Sequence, residues 1–264
     1  MDAMFERLFE SIPRNENNGI LSFGNEKDGD CFDQGDANAW RKAIFCQNWR
    51  TKKFLQNSAS QNLLTQIICN HEYMIDLACG PGMGLIPSIK QLDPLFPCLA
   101  SDANSLVLHE WQQYLQRHEA CRKLDFAQFS VLDLPIKSNT VQAYGSFIGI
   151  SSTRNGETGY ARALSEIHRT LREDGAFYTI ETEWADIPAI LTLFQKMNRQ
   201  PWPCFCENQI AWHDRFVQNG FAVVSEEPFA YRTLRTEDNE LGAASSEYGI
   251  DVGISFTAYI VKKA

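Results

Sequence analysis

The chain has 264 residues, of which 44% are hydrophobic and 12% aromatic. This composition can bury the core of one large domain, or of one domain with an added cap, and it is not that of a disordered chain. The 24 Lys and Arg residues against 33 Asp and Glu residues give a formal charge of −9, which makes a phosphate backbone a poor partner. No apolar run approaches the ~20 residues that span a bilayer, and the N-terminal residues are unlike a signal peptide. We therefore expect a cytoplasmic protein without nucleic-acid or membrane partners.

Eight cysteines are spread along the chain without the regular spacing of a disulfide framework. Cys204 and Cys206 are separated by a single residue, which is too short a spacing for an ordinary zinc knuckle. The five histidines also show no paired spacing. We therefore predict no metal site, and thiols that stay reduced as they do in the cytosol.

The first 70 residues are predicted to be mainly helical and to lie outside any regular alternation of strands and helices. Their apolar spacing predicts helices over 1–12, over 39–55 and around 63–68, with a loop rich in Asn, Gly and Asp over 14–38. We predict that residues 1–70 form a helical cap or lid, with Trp40 and Trp49 as apolar cover, and that residues 71–264 form the core.

From residue 73 onward, short apolar strands alternate with amphipathic helices. Strands are predicted over 73–79, 97–101, 126–132, 141–150 and 176–181, with helices over 83–92, 104–118 and 158–172 between them. Helices over 186–199 and 207–219 and strands over 221–228 and 252–261 follow. This alternation predicts right-handed βαβ units and a mostly parallel sheet.

The stretch Met74-Ile-Asp-Leu-Ala-Cys-Gly-Pro-Gly-Met-Gly84 follows the first of these strands. A dinucleotide-binding G-x-G-x-x-G loop would need its third glycine at position 85, where Leu85 stands, and no Gly-Lys-Ser/Thr of a triphosphate loop is present. A tight turn without a ligand is an alternative. The pattern that fits is an acid followed by small residues at alternate positions, Asp76-x-Ala78-x-Gly80-x-Gly82.

This pattern resembles the first motif of the class I S-adenosylmethionine-dependent methyltransferases, E/D-x-G-x-G-x-G, with Ala78 in place of the first glycine. The segment Leu164-Ser-Glu-Ile-His-Arg-Thr-Leu-Arg-Glu-Asp-Gly175 resembles the family's Glu-Ile-x-Arg-x-Leu-x-Pro-Gly-Gly helix and turn, with Glu173-Asp174 as a departure. The resemblance implies a Rossmann-like, doubly wound α/β fold. Its mostly parallel sheet would have seven strands, the last of them antiparallel, and its cofactor would be S-adenosylmethionine.

The resemblance also implies where the cofactor would bind. Its methionine portion would lie over the glycine backbone, Asp102 would accept hydrogen bonds from the ribose, and Asp133 would accept from the adenine amino group. Asp102 could instead be a helix N-cap, although Asn104 could serve there, and Asp133 could be an ordinary turn residue. The predicted cofactor-binding residues are Asp76, Ala78, Gly80, Pro81, Gly82, Asp102, Ala103, Leu132, Asp133, Leu134, Phe147, Ile148 and Gly149.

The acceptor is less well defined by the sequence than the cofactor. The acidic charge and the predicted cap favour a small organic molecule; the alternatives are a protein or RNA methyltransferase and a non-catalytic S-adenosylmethionine-binding regulatory protein. The Asn/Asp-Pro-Pro-Tyr/Phe motif of many nitrogen methylases is absent after the fourth strand. Candidates for the substrate pocket, each also explicable as a structural or surface residue, are Arg154, Tyr160, Glu181, Glu183, Trp184 and His213. No catalytic residue, acceptor atom or oligomeric state is predicted.

Overall fold

A computed structural model describes residues 2–17, 19–23, 54–118, 123–151, 156–206, 210–236 and 240–264. The predicted helix over 39–55 falls outside these ranges except for its last two residues. Trp40, Trp49 and Arg154 also lie outside them.

The described part of the chain contains helices and strands in alternation. The helices are α1 (Ala3–Glu6), α2 (Ser58–Asn70), α3 (Ile86–Leu92), α4 (Ser105–His118), α5 (Gly156–Thr170), α6 (Ile187–Lys196), α7 (Pro203–Cys206), α8 (Trp212–Gln218) and α9 (Glu240–Tyr248). The strands are β1 (Asn15–Asn17), β2 (Ile20–Ser22), β3 (Met74–Asp76), β4 (Cys98–Asp102), β5 (Leu124–Gln128), β6 (Val141–Phe147), β7 (Leu171–Trp184), β8 (Phe221–Thr233) and β9 (Gly253–Lys263). None of the helices within the described ranges has the length and apolar character needed to cross a membrane.

All of these strands belong to one sheet with the order β1-β2-β5-β4-β3-β6-β7-β9-β8. Neighbouring strands from β2 to β7 pair in parallel, whereas β9 runs antiparallel to both β7 and β8. The predicted α/β sheet with an antiparallel last strand is thus confirmed. The strand order reverses between β3 and β6, and ligands of open α/β sheets bind beyond the carboxyl ends of the strands at such a switch point.

Two short strands near the N-terminus were not predicted and extend the sheet at its edge. β1 pairs with β2, and β2 pairs in parallel with β5, so the predicted loop over 14–38 is wrong for these residues. Ile20 and Leu21 are buried there, but two apolar residues among Asn and Gly give no strand periodicity. The helix predicted over 1–12 is limited to α1, and Phe9 forms an isolated bridge with Ile136. The division at residue 70 stays a prediction.

β5 ends earlier than its apolar pattern predicts. A strand is predicted over 126–132, whereas the observed strand is Leu124–Gln128, so Asp133 does not stand at a strand end. Phe129 and Val131 are buried after the strand has ended, and this extends the apolar run beyond the hydrogen-bonded ladder. Periodicity alone does not separate a strand from a buried turn that follows it.

The sheet is covered on both faces, because successive strand residues point to opposite sides. Leu63, Leu64 and Ile67 of α2 pack in one core cluster, together with the buried residues of α3 and α4. The predicted apolar face of α5, which includes Leu164 and Ile167, packs in the other cluster with α8. These two layers hold the carboxyl ends of β3, β4, β6 and β7 along one edge.

Candidate functional site

The glycine loop (residues 77–85) connects β3 to α3 and has an unusual backbone. Gly80 and Gly84 have φ values of 56° and 53°, and Ala78 and Met83 share this left-handed region at 48° and 51°. Only glycine adopts such angles without a steric penalty. A Cβ on Gly80 would have no heavy atom of the described residues within 4 Å, so the backbone there faces open space. The loop can therefore approach a ligand closely.

Asp76 organises this loop from beneath. Its carboxylate is fully buried, and its Oδ2 accepts a hydrogen bond from the Leu85 amide at 2.7 Å. Any Cβ on Gly84 would overlap this carboxylate, which explains why glycine occupies position 84. The contacts of Asp76 with the loop backbone support the loop, whereas a role at the amino-acid end of the cofactor stays a prediction.

Asp102, at the carboxyl end of β4, is bound to the same loop. Its Oδ2 accepts from the Gly80 amide at 2.9 Å, and its Oδ1 accepts from the Asn104 amide at 2.9 Å. Asn104 in turn caps α4 by accepting from the Leu106 amide, so the alternative role of Asp102 as helix cap belongs to Asn104. The contact of Asp102 with the ribose hydroxyls stays a prediction.

Two polar residues that the sequence analysis missed complete this support. Ser101 donates its hydroxyl to the Asp76 carbonyl at 2.8 Å and accepts from the Cys79 amide with its own carbonyl. Gln128, at the end of β5, donates its amide to the carbonyl of Ala103 at 3.0 Å. Both stand at strand ends of the ligand-binding edge, and that position is the signal by which they could have been found.

The β6 turn (residues 148–151) contacts the glycine loop from the other side of the switch point. Ile148 has a φ of 53°, and its amide donates to the Ile180 carbonyl. A Cβ on Gly149 would lie 2.7 Å from the Leu77 carbonyl oxygen and 3.0 Å from the Ala78 Cβ. The turn therefore packs directly on the loop through Gly149, and the contacts of Ile148, Gly149 and Ala78 with the cofactor stay predictions.

Aromatic side chains close the end of β6. The ring of Phe147 lies 5.6 Å from that of Phe54 and 6.3 Å from that of Phe229, between ring centroids. Phe54 and Phe229 are themselves 5.3 Å apart. Phe54 belongs to the N-terminal 70 residues, so this part of the chain reaches the edge where the cofactor would bind.

The residues predicted to hold adenine are placed differently. Leu134 is only 1% exposed and packs in the α5 cluster, which disfavours a contact with the adenine ring, and its predicted role stays a prediction. Its amide donates to Glu166, and the Leu132 carbonyl accepts from Arg162, so α5 holds this segment. Asp133 is exposed, and its contact with adenine stays a prediction.

A second feature of this edge is a cavity of about 200 Å³ at the carboxyl ends of β6 and β7. The Arg215 guanidinium lies 4.7 Å from the Trp212 ring centroid and 5.1 Å from that of Tyr160. It is paired with the Glu157 carboxylate, with 2.8 Å between Nε and Oε2. The cavity walls include Ser151, Tyr160, Glu183, Trp184, Cys204 and Arg215. Three predicted pocket residues thus meet here, whereas His213 is exposed and pairs with Glu226.

Glu181 lies behind this cavity rather than in its wall. Its side chain is 1% exposed; Oε2 accepts from the Ser151 amide at 2.9 Å and Oε1 accepts from the Thr179 hydroxyl at 2.6 Å. Burial raises the pKa of the Glu181 carboxyl to about 7 against the opposing effect of these hydrogen bonds.

Cys, His, Asp and Glu side chains of the described residues are the candidates for metal ligands. No group of three or more His, Cys, Asp or Glu residues in these ranges is arranged to hold a metal ion. Burial, with Asp102 and Asp76 nearby, raises the pKa of the Cys79 thiol well above its usual range, so this thiol of the glycine loop stays protonated.

Comparison with known proteins agrees with this geometry. Residues 45–210 match the model of the ubiE/COQ5 methyltransferase family. A demethylmenaquinone methyltransferase of Lactiplantibacillus plantarum is 24% identical over 128 residues, 48% of this chain and 52% of that protein, so the chain spans about half the length of this curated relative. The MccD protein (17% identity, 79% and 99% coverage) and a geranyl diphosphate methyltransferase solved with S-adenosylmethionine (13% identity, 93% and 97% coverage) each share the fold at a TM-score of 0.55. The chain belongs to the ubiE/COQ5 methyltransferase family, and its resemblance to class I S-adenosylmethionine-dependent methyltransferases is confirmed.

Proposed function

We propose that this chain transfers a methyl group from S-adenosylmethionine to a small organic acceptor. The observation that carries the proposal is the glycine loop at the switch point, fixed from below by Asp76 and from the side by Asp102. No heavy atom of the described residues lies within 4 Å of a Cβ built on Gly80, which supports room for the methionine portion, and Asp102 stands beside the loop at the end of β4.

The chemistry expected of this site depends on position more than on a reactive side chain. When bound, S-adenosylmethionine supplies an electrophilic methyl group on a positive sulfonium. The protein would hold the acceptor in line with that methyl group and exclude water, and such positioning can account for much of a rate enhancement. A general base is needed only when the acceptor atom is protonated at neutral pH.

The cavity beside the β6 turn is our candidate for the acceptor site. Its volume of about 200 Å³ is smaller than the roughly 300–1,000 Å³ of pockets for drug-sized ligands, which supports a compact acceptor or a compact part of one. Its walls combine the aromatic rings of Tyr160 and Trp184 with the charged groups of Glu183 and Arg215. The two named methyltransferases act on different molecules, so we propose only the class of acceptor.

Methyl transfer with and without a filled cavity tests this proposal. We would measure transfer from methyl-labelled S-adenosylmethionine to a panel of small phenols, amines, thiols and acids. Cys204→Phe should fill the cavity and lower transfer to an accepted compound at least tenfold, with unchanged affinity for S-adenosylhomocysteine. Cys206→Phe is the matched control, because Cys206 is exposed and lies outside the cavity wall. Equal loss in both variants would rule out the cavity as the acceptor site.

The other activities make different predictions. A protein or RNA methyltransferase would methylate the proteins or the RNA of a cell extract. An enzyme that acts on RNA would also be retained on heparin at physiological salt, and the charge of −9 disfavours such retention. A regulatory protein would bind the cofactor without transfer to any compound of the panel.

We also propose that residues 1–70 act as a lid, which the contact of Phe54 with Phe147 supports. We further propose that the protein is cytoplasmic, because the cysteines described as outside disulfides suit a reducing compartment.

A further inference from the structure

The β6 turn contacts both parts of the proposed site. On one side Gly149 packs against Leu77 and Ala78 of the glycine loop. On the other side Ser151 forms part of the cavity wall, where its carbonyl accepts a hydrogen bond from Tyr160. A shift of this turn would therefore change the cofactor loop and the acceptor cavity together.

Glu181 fixes this turn from the neighbouring strand. Its Oε2 accepts from the Ser151 backbone amide, and the Thr179 hydroxyl donates to its Oε1 and so orients the carboxylate. Hydrogen bonds to an ionised acceptor are roughly twice as strong as those between neutral groups. The strength with which β7 holds the turn therefore depends on the charge of Glu181.

The buried position of Glu181 makes the ionised form of its carboxyl group energetically unfavourable. Glu181 is 1% exposed, and burial raises the pKa of its carboxyl to about 7. Arg215 is the nearby cation that favours the charged form, and it is shared with Glu157. Among the described residues, Tyr160 and Tyr259 also interact electrostatically with Glu181, and burial raises the pKa of both tyrosines so far that they stay neutral.

We propose that Glu181 is a positioning residue of the methyl-transfer site, whose ionised carboxylate holds the β6 turn in the position that cofactor binding requires. This inference rests on the proposed function. A ligand that needs the ordered turn binds better when Glu181 is ionised, so binding near neutral pH releases protons and weakens as the pH falls.

The first test follows the turn itself, without any ligand. In a 15N NMR titration the Ser151 amide of the parent should shift with a midpoint near pH 7, and in Glu181→Gln this titration should vanish. Thr179→Val removes the hydroxyl that favours the charged form, so its midpoint should move to higher pH. Thr192→Val, the same change on the exposed face of α6, should leave the midpoint in place. A titration that persists in Glu181→Gln would overturn the proposal.

The second test measures S-adenosylhomocysteine binding by calorimetry at pH 5.5 and 8.5. The parent should bind about fivefold more weakly at the lower pH, the scale of one weakened hydrogen bond, and Glu181→Gln should bind equally at both. If the parent binds equally at both values, or if the variant keeps the parent's pH dependence, the positioning role is wrong and the proposed function stands. If the parent does not bind at either pH, the proposed function is wrong, and the NMR titration alone decides whether Glu181 controls the turn.

Discussion

At the scale of single residues, the polar groups of the site mostly bind the backbone of their own loop. Asp76 binds the Leu85 amide, Asp102 binds the Gly80 amide, and Glu181 binds the Ser151 amide. Asp76 and Asp102 could be identified from the sequence because strand ends can be inferred from apolar runs. It could not show which oxygen meets which amide, because those contacts depend on the folding of distant segments onto one another.

Ala78 departs from the first motif of the family, and the structure indicates an energetic cost for this residue. Its φ of 48° disfavours any residue with a Cβ, so Ala78→Gly should raise the free energy of unfolding by about 1 kcal/mol. Ala176→Gly, in the buried interior of β7, should instead lower it, because glycine there adds chain entropy to the unfolded state and removes a buried methyl group. Urea denaturation measures both. A loss of stability in Ala78→Gly would contradict the strain inferred for this position.

Glu181 should make stability depend on pH in a defined direction. Its carboxyl pKa is raised in the folded protein from 4.5 to about 7, so the fold loses stability as the pH rises through this interval. Glu181→Gln lacks this titration, so its free energy of unfolding relative to that of the parent should rise by about 3 kcal/mol between pH 4.5 and pH 8.5. Urea denaturation at the two pH values gives this difference directly. A difference that is the same at both values would show that burial does not perturb Glu181.

At the scale of elements, β strands with clear apolar runs were predicted well, and boundaries failed where burial continues past a strand. The seven strands from β3 to β9 were all expected, whereas β5 was extended too far and β1 and β2 were missed. β1 and β2 are only three residues long, and they are held by the pairing of β1 with β2 and of β2 with β5, which no local pattern reveals. The error in β5 led directly to the wrong placement of Asp133 at a strand end.

The contact between the β6 turn and the glycine loop gives an element-scale prediction. Gly149→Ala would place a Cβ 2.5 Å from the Ser146 hydroxyl oxygen and 2.7 Å from the Leu77 carbonyl oxygen, so the two elements must move apart. Overpacking of this kind costs about 1–3 kcal/mol, and we expect at least a tenfold loss of affinity for S-adenosylhomocysteine. Melting temperature and calorimetry separate the two effects. Unchanged binding would show that this contact does not shape the cofactor site.

At the scale of the whole molecule, a nine-stranded sheet brings four strand ends to one edge. The reversal of strand order between β3 and β6 creates the crevice, and the two helical layers fix its walls. The alternation of strands and helices was enough to predict this architecture. Tyr160 and Glu183 were expected in a pocket, but the part of Arg215 in it was not predictable, because these residues meet only after β7 and α8 pack against α5.

Calorimetric titration of S-adenosylhomocysteine into the parent and into Asp102→Asn tests the central claim most directly. The parent should bind one equivalent with saturation. Asp102→Asn should lose about 1–3 kcal/mol of binding free energy, because the amide cannot accept the same hydrogen bonds from the Gly80 amide and the ribose. Asn104→Ala, which removes only the cap of α4, should lower stability by about 1 kcal/mol and leave binding unchanged. No saturable binding by the parent, or equal binding by Asp102→Asn, would contradict the cofactor site described above.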